Sequence, residues 1–157
     1  MKVYKFFGKN HIFSNFYPIT YVYDNQEYNC GEQGFMHQKA LFFKDFEIAD
    51  EIINTKYDDP VIYKKLGRKV SNFNEKEWSY VRFDIMVDLI YARCLYNTDY
   101  KKLLLSLKDF IIAEASPRDL VWGIGYGKDN PKGDDPKTWR GRNLLGYAYM
   151  KVRDTKF

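Results

Sequence analysis

The longest periodic apolar pattern in the sequence covers residues 75–96, and it most restricts the folds open to this chain. Apolar side chains recur there at intervals of three and four residues, which predicts a long helix with one face against the core. The stripe is formed by Trp78, Val81, Ile85, Leu89 and Ala92. Arg82 lies within the stripe, where its guanidinium could clamp a phosphate or pair with a buried carboxylate such as Glu32.

A second apolar stripe, in residues 30–43, contains two opposite charges. At helical spacing the apolar members of one face are Phe35, Met36 and Phe43. Glu32 and Lys39 fall on the same face, two turns apart, and helical side chains lean toward the N-terminus, so Lys39 can reach back toward Glu32. A carboxylate and an amine could therefore flank one small ligand.

These two charges also have a purely structural interpretation. Asn29 stands three residues before Glu32, as in a capping box, where the carboxylate serves the first turn of the helix. The aliphatic part of the Lys39 side chain could pack on the core while its ammonium group extends into water. Taken alone, the helix slightly favours the structural interpretation, and both stay open at this point.

A chain of 157 residues suits one domain, here residues 1–157, that can bury a core without disulfides or metal. Hydrophobic residues make up 45% and aromatic residues 18% of the chain, which argues against disorder. The formal net charge of +4 favours anionic partners, either a phosphate-bearing metabolite or a nucleic acid. Charge alone does not choose between them, and the sequence does not predict the number of subunits.

Cys30 and Cys94 are the only cysteines, and no spacing of Cys and His is typical of a metal or redox site. We therefore expect reduced thiols, no metal and no cofactor. Charged residues interrupt the N-terminal segment before a secretory apolar core forms, and no later apolar run is long enough to span a bilayer. These features predict a cytoplasmic protein with no membrane partner.

Shorter segments complete the predicted architecture. Residues 3–7 and 110–115 are predicted strands, and residues 21–28 are two β-prone pieces around an Asp-Asn turn. Further helices are predicted at 46–53, 61–70, 99–108 and 143–154, of which the first two are expected to be architectural only. We expect one compact, mainly helical α+β domain, with a small antiparallel sheet made from the N-terminal hairpin and the strand before Ser116.

Irregular segments carry the remaining candidates for ligand contact. The polar and aromatic loop 13–18 contains Asn15 and Phe16, and loops of this composition often touch ligands. Residues 116–127 combine an acid, a tryptophan and three glycines, which lets the backbone approach a ligand closely. Ordinary turns are the alternative for both segments.

The polar segment 128–142 is expected to be a mobile surface loop, with Trp139 as its only large apolar side chain. An exposed tryptophan there could cover a base or a sugar, whereas packing on the core is the commoner arrangement. Asn143 then begins the last predicted helix as its N-cap.

Taken in order, these motifs resemble those of the YbiA-like family, also called NADAR for its association with NAD and ADP-ribose. The resemblance covers nearly the whole chain. It rests on Phe13-Ser14-Asn15-Phe16-Tyr17-Pro18, on Glu32 with Gln38-Lys39-Ala40, on Trp78 with Arg82, on Glu114-Ala115-Ser116-Pro117-Arg118-Asp119 with Trp122-Gly123-Ile124-Gly125, and on Trp139, Gly141, Asn143, Leu145-Gly146, Met150 and Val152-Arg153. The chain departs from the family at Gln33, where His is common, and at Met36 and His37, which replace Gln and Ala.

The resemblance implies an N-glycosidase, a hydrolase acting on N-glycosyl bonds. Family members are associated with cleaving early riboflavin-pathway intermediates, and others with removing ADP-ribose from guanine. In both substrates an exocyclic amine of a planar heterocycle joins C1 of a ribose phosphate, so the implied partner is a ribosylamine phosphate or ADP-ribosylated guanine in nucleic acid. The implied substrate-binding residues are Asn15, Phe16, Trp78, Arg82, Glu114, Trp122, Gly123, Trp139 and Asn143.

The chemistry of this bond assigns roles to three residues. Glu32, placed among aromatic side chains, is expected to have a raised pKa and to act as the general acid. Lys39 either holds the phosphate or attacks C1 of the ring-opened sugar to form a Schiff base. Asp119 orients ribose hydroxyls or activates water, unless it only caps the following turn.

Two other functions stay open. A non-catalytic module that binds ADP-ribose, another nucleotide or single-stranded nucleic acid by stacking and charge would release no base from ribose. An O-glycosidase with a carboxylate pair is less favoured, because Glu32 with Glu114 or Asp119 shows no pattern typical of one.

Overall fold

The structure is a computed structural model and describes residues 1–56 and 59–157. Within them the strands are β1 (Lys2–Phe6), β2 (Pro18–Tyr23), β3 (Gln26–Cys30) and β4 (Phe110–Glu114). The helices are α1 (Gly31–Phe42), α2 (Phe46–Asn54), α3 (Val61–Gly67), α4 (Glu75–Tyr96), α5 (Thr98–Ser106) and α6 (Leu144–Thr155). The protein is therefore a mainly helical α+β domain.

The strands form two separate two-stranded sheets in the described part of the chain. β2 and β3 pair antiparallel across the turn at Asp24 and Asn25, whose φ values of 50° and 63° suit residues that tolerate the left-handed region. β1 pairs with β4 in parallel, with Phe6 opposite Glu114. The strand before Ser116 was expected to join the hairpin in an antiparallel sheet, and that detail is wrong. Its partner lies more than 100 residues earlier in the chain.

Helix α4 organises the core as its periodicity predicts. It packs against α1, α5, α6 and β2, with Trp78, Leu89 and Ala92 buried. Beside it, the ring of Phe13 stacks on Tyr149 with centroids 4.4 Å apart, and the Tyr149 hydroxyl donates to the Phe13 carbonyl at 2.7 Å. This contact fixes the loop 13–18 to α6 and so places the next two residues of the loop.

Helix α1 begins one residue later than the capping box at Asn29 would require. Cys30 is its N-cap, and the Cys30 Sγ accepts from the backbone N–H of Gln33 at 3.4 Å. The side chain of Gln33 in turn accepts from the backbone N–H of Asn29 at 2.7 Å. The Asn29 N–H, which a capping box starting at Asn29 would donate to Glu32, thus goes to Gln33, and this corrects the structural interpretation of Glu32.

The segment 128–142, expected to be a mobile surface loop, contains two short 3₁₀ turns, Pro131–Asp134 and Pro136–Thr138. Asn143 does stand at the N-cap of α6, but its φ of 53° is left-handed and its side chain does not bond to the first turn of the helix. Among the described residues, none of the helices is both long and apolar enough to cross a membrane.

Candidate active site

A cavity of about 230 Å³ opens between α1, α3, α4 and the two irregular segments singled out above. Eight of the residues that the sequence assigns to substrate or catalysis line it together. They are Asn15, Phe16, Glu32, Lys39, Trp78, Glu114, Asp119 and Trp122. Residues from four distant parts of the chain therefore meet around one space of the size of a small ligand.

Two other assigned residues have partners elsewhere. Arg82 does not line the cavity, and its Nη1 donates to the carboxylate of Glu75 at 2.9 Å, so its carboxylate partner is Glu75 instead of Glu32. Trp139 packs beside Ala113, Ala115 and Ile124, and its indole N–H donates to the Gly133 carbonyl at 3.0 Å. Of the two options considered for Trp139, the structure shows packing on the core.

Gly123 and Asn143 lie behind the cavity wall. A Cβ on Gly123 would come within 2.8 Å of the Ser116 Cβ and 2.9 Å of the Asp119 carbonyl, so only glycine fits there. The Asn143 side chain accepts from the backbone N–H of Glu114 at 3.1 Å and donates to the Ile112 carbonyl at 2.9 Å. Both residues shape the segment that carries Glu114 and Asp119, without lining the cavity themselves.

The cavity also contains cations that the sequence reasoning missed. Lys64 on α3 and Arg68, directly after it, line the wall beside Lys39. Neither forms an ion pair within the described residues, and both are exposed. Their spacing of four residues places them on one face, which is the signal that could have identified them. The helix at 61–70 was expected to be architectural only, whereas α3 supplies charge to the site.

Burial dominates the electrostatics of Glu32. Its side chain is 8% exposed, and burial raises its pKa to about 7 because the charged form loses hydration. Lys64 and Lys39 oppose this shift, and the nearby Asp119 adds to it. A carboxyl with a pKa near 7 is protonated in a large fraction of molecules at neutral pH, as a general acid requires.

Lys39 is half-buried at the same cavity. Its Nζ donates to the Gly67 carbonyl at 2.9 Å and lies 4.5 Å from the centre of the Phe73 ring. Burial lowers the pKa of the amine, while the carboxylates of Glu32 and Glu75 work against that change. The ammonium therefore does not simply extend to water, and a neutral amine is more accessible than in an exposed lysine.

Asp119 has the capping role considered for it and also lines the cavity. Its Oδ1 accepts from the backbone N–H groups of Val121 and Trp122, both at 2.9 Å. These bonds hold the turn that presents the Trp122 ring. The Trp122 ring lies edge-on to Phe35 at 5.2 Å, and Phe35 also contacts Trp78 at 5.3 Å. Together the three rings form an aromatic wall.

Asn15 is held by a buried arginine that the sequence reasoning did not single out. Arg93 is 0% exposed, and its Nη1 donates to the Asn15 side-chain oxygen at 3.2 Å. The Asn15 carbonyl accepts from the backbone N–H of Glu32 at 2.8 Å. A Cβ on Gly31 would overlap both the Arg93 and Asn15 side chains. The start of α1, and with it Glu32, is thus fixed from behind by a charged core residue.

Glu114 is the third carboxyl of the cavity. Its Oε2 is buried and has no hydrogen-bond partner among the described residues. Its pKa is raised to about 8, chiefly by burial and in addition by the carboxylates of Asp119 and Glu32, against the opposing charge of Lys64. The neutral form of Glu114 is therefore favoured at neutral pH.

This shift predicts that Glu114 costs stability as the pH rises. The folded protein keeps the Glu114 proton up to a pH of about 8, whereas the unfolded chain loses it near pH 4.5. The free energy of unfolding therefore falls as the pH rises between those two values. We expect Glu114→Gln to match wild type in free energy of unfolding near pH 4 and to exceed it by roughly 2–4 kcal/mol near pH 9. Urea unfolding at both pH values measures the difference, and an equal difference at both would contradict the burial of an unpaired acid.

Within the described residues, no group of three or more His, Cys, Asp or Glu side chains has the arrangement of a metal site. The cavity instead combines three carboxyls, three cations and an aromatic wall. Such a set can deliver a proton, offer an amine nucleophile, stack on a planar ring and bind an anionic group. These are the separate requirements for cleaving a bond between a heterocycle and a sugar phosphate.

Comparisons with known proteins find related sequences. The family model of the NADAR domain matches residues 5–155. The protein irg-1 of Caenorhabditis elegans is 35% identical over 91% of this chain and 74% of its own length. An N-glycosidase of Acanthamoeba polyphaga mimivirus is 36% identical over 92% of this chain and 86% of its own length. A riboflavin biosynthesis protein of Vibrio vulnificus is 27% identical over 93% of this chain, which spans only 36% of that longer protein.

The fold also matches a solved structure. The NMR structure of YbiA from Escherichia coli gives a TM-score of 0.77 at 24% identity, covering 98% of this chain and 84% of that one. The match confirms the α+β architecture over almost the full length.

Proposed function

Because the chain belongs to the NADAR family, we propose that it is an N-glycosidase that hydrolyses the bond between a heterocycle's exocyclic amine and C1 of a ribose phosphate or ADP-ribose. The observation that carries the proposal is that Glu32 and Lys39 meet in one cavity, with the Glu32 pKa raised to about 7. The relative at 36% identity is named an N-glycosidase, and the Vibrio relative is named for riboflavin biosynthesis, which supports a ribosylaminopyrimidine substrate.

Glu32 supplies the proton in the first step. Protonation of the ribose ring oxygen opens the sugar and leaves C1 as an iminium carbon bonded to the heterocycle's amine. The resulting Glu32 carboxylate is stabilised by the charges of Lys64 and Arg93. Burial keeps Glu32 protonated before the reaction, and nearby cations stabilise the carboxylate that forms when the proton leaves. Both properties suit a general acid.

Lys39 acts as the nucleophile in the second step. Its neutral amine adds to C1, and the heterocycle leaves as a free amine after taking a proton, so the sugar is held as an imine on Nζ. Water then adds to C1 and releases the sugar phosphate as an aldehyde together with the free lysine, and the proton set free in this step returns to the Glu32 carboxylate. Overall one water is consumed. The lowered pKa of Lys39 supports this role over that of phosphate ligand.

The phosphate is held by Lys64 and Arg68. Both cations line the cavity and have no ion-pair partner within the described residues, so they are available to an anionic ligand. The guanidinium of Arg68 can bind two phosphate oxygens at once.

Other residues of the cavity are suited to bind the heterocycle and the ribose. The rings of Trp78 and Trp122 offer stacking surfaces to the heterocycle. Asp119 lines the same cavity and can bind ribose hydroxyls or water.

Replacing Arg68 by Met is expected to weaken substrate binding more than catalysis. Loss of a charge-assisted hydrogen bond should raise KM roughly 10- to 100-fold and leave kcat nearly unchanged. Lys65→Met is the matched control, because Lys65 is an exposed cation on α3, three residues before Arg68, and does not line the cavity. Steady-state kinetics of the two variants test this, and a fall in kcat with unchanged KM would place Arg68 in the chemistry instead.

The activity itself is tested with two substrates in parallel. The protein is incubated with a ribosylaminopyrimidine phosphate and with an ADP-ribosylated guanine oligonucleotide, and release of free heterocycle or of unmodified guanine is followed by chromatography. We expect turnover of at least one. Tight binding of ADP-ribose or of the oligonucleotide without any release would contradict the proposal and favour the non-catalytic binding module.

A further inference from the structure

A positive charge lies in the core directly behind Glu32. Arg93 on α4 is 0% exposed, and its Nη2 has no hydrogen-bond partner among the described residues. We propose that Arg93 is a positioning residue for proton transfer: it holds Glu32 in place through Asn15, and its charge is balanced only when Glu32 becomes a carboxylate. This inference rests on the proposed function and adds to it a residue that does not line the cavity.

The contacts of Arg93 fix the first turn of α1. Its Nη1 donates to the Asn15 side-chain oxygen at 3.2 Å, and its Nε donates to the Leu89 carbonyl at 3.4 Å. The Asn15 carbonyl in turn accepts from the backbone N–H of Glu32 at 2.8 Å. A Cβ on Gly31 would overlap Arg93, so the guanidinium lies against the start of the helix. Arg93 is therefore connected to Glu32 through a single intervening residue.

No anion balances Arg93 before the reaction. No carboxylate of the described residues lies within ion-pair distance of its guanidinium. The other titratable groups around it are hydroxyls and thiols, whose pKa values are raised chiefly by burial, so they are uncharged at neutral pH. They are Tyr21 on β2, Cys30 at the end of β3, Cys94 on α4, Tyr100 on α5 and Tyr149 on α6. The remaining acid is Glu32 on α1, whose pKa is raised chiefly by burial while the charge of Arg93 is among those that oppose the shift.

Such an arrangement is costly for stability. An arginine does not lose its proton on burial, and removing a charge from water costs free energy that an ionic partner normally offsets. The start of α1 is also the positive end of the helix dipole, where another positive charge is unfavourable. The ring centres of Tyr21 and Tyr100 lie 5.7 and 5.4 Å from the Arg93 Cζ, and their faces offset only part of this cost. A purely structural role does not explain such a charge.

The other two cations near Glu32 have different tasks in the proposed mechanism. Lys64 is a ligand of the substrate phosphate, which balances its charge, and Lys39 is neutral when its amine attacks C1. Arg93 is then the cation that still stabilises the Glu32 carboxylate after the proton has moved. Because this charge is buried and fixed, no water has to reorganise around it at the moment of proton transfer.

A titration of Glu32 tests the inference without turnover. The protein is labelled with ¹³C at the glutamate carboxyls, the Glu32 signal is assigned by its loss in Glu32→Gln, and the pKa of Glu32 is measured by NMR. We expect a pKa of about 7 in wild type. In Arg93→Met the pKa should be higher by roughly 0.5–1 pH unit, because the carboxylate then lacks a cation. Arg93→Lys keeps a positive charge and should titrate close to wild type.

Kinetics under saturating substrate give a second readout. Arg93→Met should lower kcat roughly tenfold and move the alkaline decline of kcat to higher pH together with the pKa of Glu32. The KM should change by less than about threefold, since Arg93 does not line the cavity. Arg93→Gln, which removes the charge but keeps a polar donor, serves the same purpose if Arg93→Met does not fold.

Arg153→Met is the matched control. Arg153 on α6 is also buried, but its guanidinium donates to the carbonyls of Leu107 and Phe110 and pairs with Asp154. The substitution removes the same buried side chain at a place without contact to Glu32, so the Glu32 titration and the kcat per folded molecule should stay as in wild type. Thermal unfolding gives the folded fraction of each variant.

The outcomes separate this inference from the proposed function. Four results would each overturn the inference: an unchanged Glu32 titration in Arg93→Met, an equal rise of its pKa in Arg153→Met, a rise in Arg93→Lys as large as in Arg93→Met, or a raised pKa with unchanged kcat and pH profile. A raised pKa of Glu32 in Arg93→Met, combined with no hydrolysis of either substrate by wild type, would overturn the proposed function and leave Arg93 as the buried counter-charge of Glu32.

Discussion

Glu32→Gln is expected to hydrolyse its substrate about 100- to 10,000-fold more slowly than wild type, the range typical for removal of a positioned general acid. The amide keeps the size and hydrogen-bonding capacity of the acid but has no proton to transfer. Because the Asn15 carbonyl holds the backbone of residue 32, the start of α1 should remain in place. The loss should therefore appear in kcat, measured by release of the heterocycle under saturating substrate.

The pH profile gives this prediction a second readout. Burial raises the pKa of Glu32 to about 7, and the protonated form is the active one, so the wild-type rate should fall as pH rises above that value. The residual rate of Glu32→Gln should lack this alkaline decline. Lys64→Met should move the decline to higher pH, because Lys64 is the largest influence opposing the raised pKa.

A control and a contrary result complete the test. Glu47→Gln changes an exposed carboxyl in the first turn of α2 and should leave both the rate and its pH dependence unaltered. If Glu32→Gln turned over at nearly the wild-type rate, the carboxyl would not be the acid, and Glu114 or Asp119 would take its place as candidate.

Long-period patterns in the sequence were sufficient to predict the helices. The predicted helix at 75–96 has the same bounds in the structure, because a 22-residue apolar stripe outweighs local ambiguity. The start of α1 was misplaced by one residue, since a cysteine N-cap was not anticipated and Asn29 is the stronger capping residue by type. No local sequence pattern predicts the parallel pairing of β1 with β4, because the two strands are far apart in the sequence.

In the candidate site, too, some residues could be predicted from the sequence and others could not. Glu32, Lys39 and Asp119 were found from residue type and family resemblance, and all three line the cavity. Lys64 and Arg68 were not, because on a short surface helix two cations at a spacing of four are common and solvation explains them equally well. Whether such charges face water or a cavity depends on how α3 packs against α1, which is a tertiary property.

Burial itself was the least predictable quantity. Helical spacing places Arg93, four residues after Leu89, on the apolar face, but its full burial and its bond to Asn15 depend on how α4 packs against loop 13–18. The distinction between Glu32 and Glu114 likewise arises from which cations surround each carboxyl. The chemistry of the site therefore follows from packing around residues whose identities alone leave their roles open.

Borohydride added during turnover is expected to attach the sugar phosphate covalently to Lys39. Reduction of the imine between Nζ and C1 gives a stable secondary amine, so intact mass should rise by the reduced sugar and peptide mapping should place it on Lys39. Lys39→Arg keeps the positive charge but cannot form the imine, so it should show no adduct and a rate lower by on the order of 100- to 1,000-fold. This variant separates the nucleophile from a phosphate ligand, because a ligand role would be largely preserved by arginine.

The contrary result is equally defined. Lys65→Arg, on the exposed face of α3, should be trapped and active like wild type. Active wild-type protein whose mass stays unchanged with borohydride present would exclude the imine and leave direct attack of water on C1. Glu32 would still be required as the acid in that case, since both routes begin with protonation of the sugar. If wild type does form the adduct, slower adduct formation in Glu32→Gln, in proportion to its loss of kcat, would show that proton delivery precedes covalent capture by Lys39.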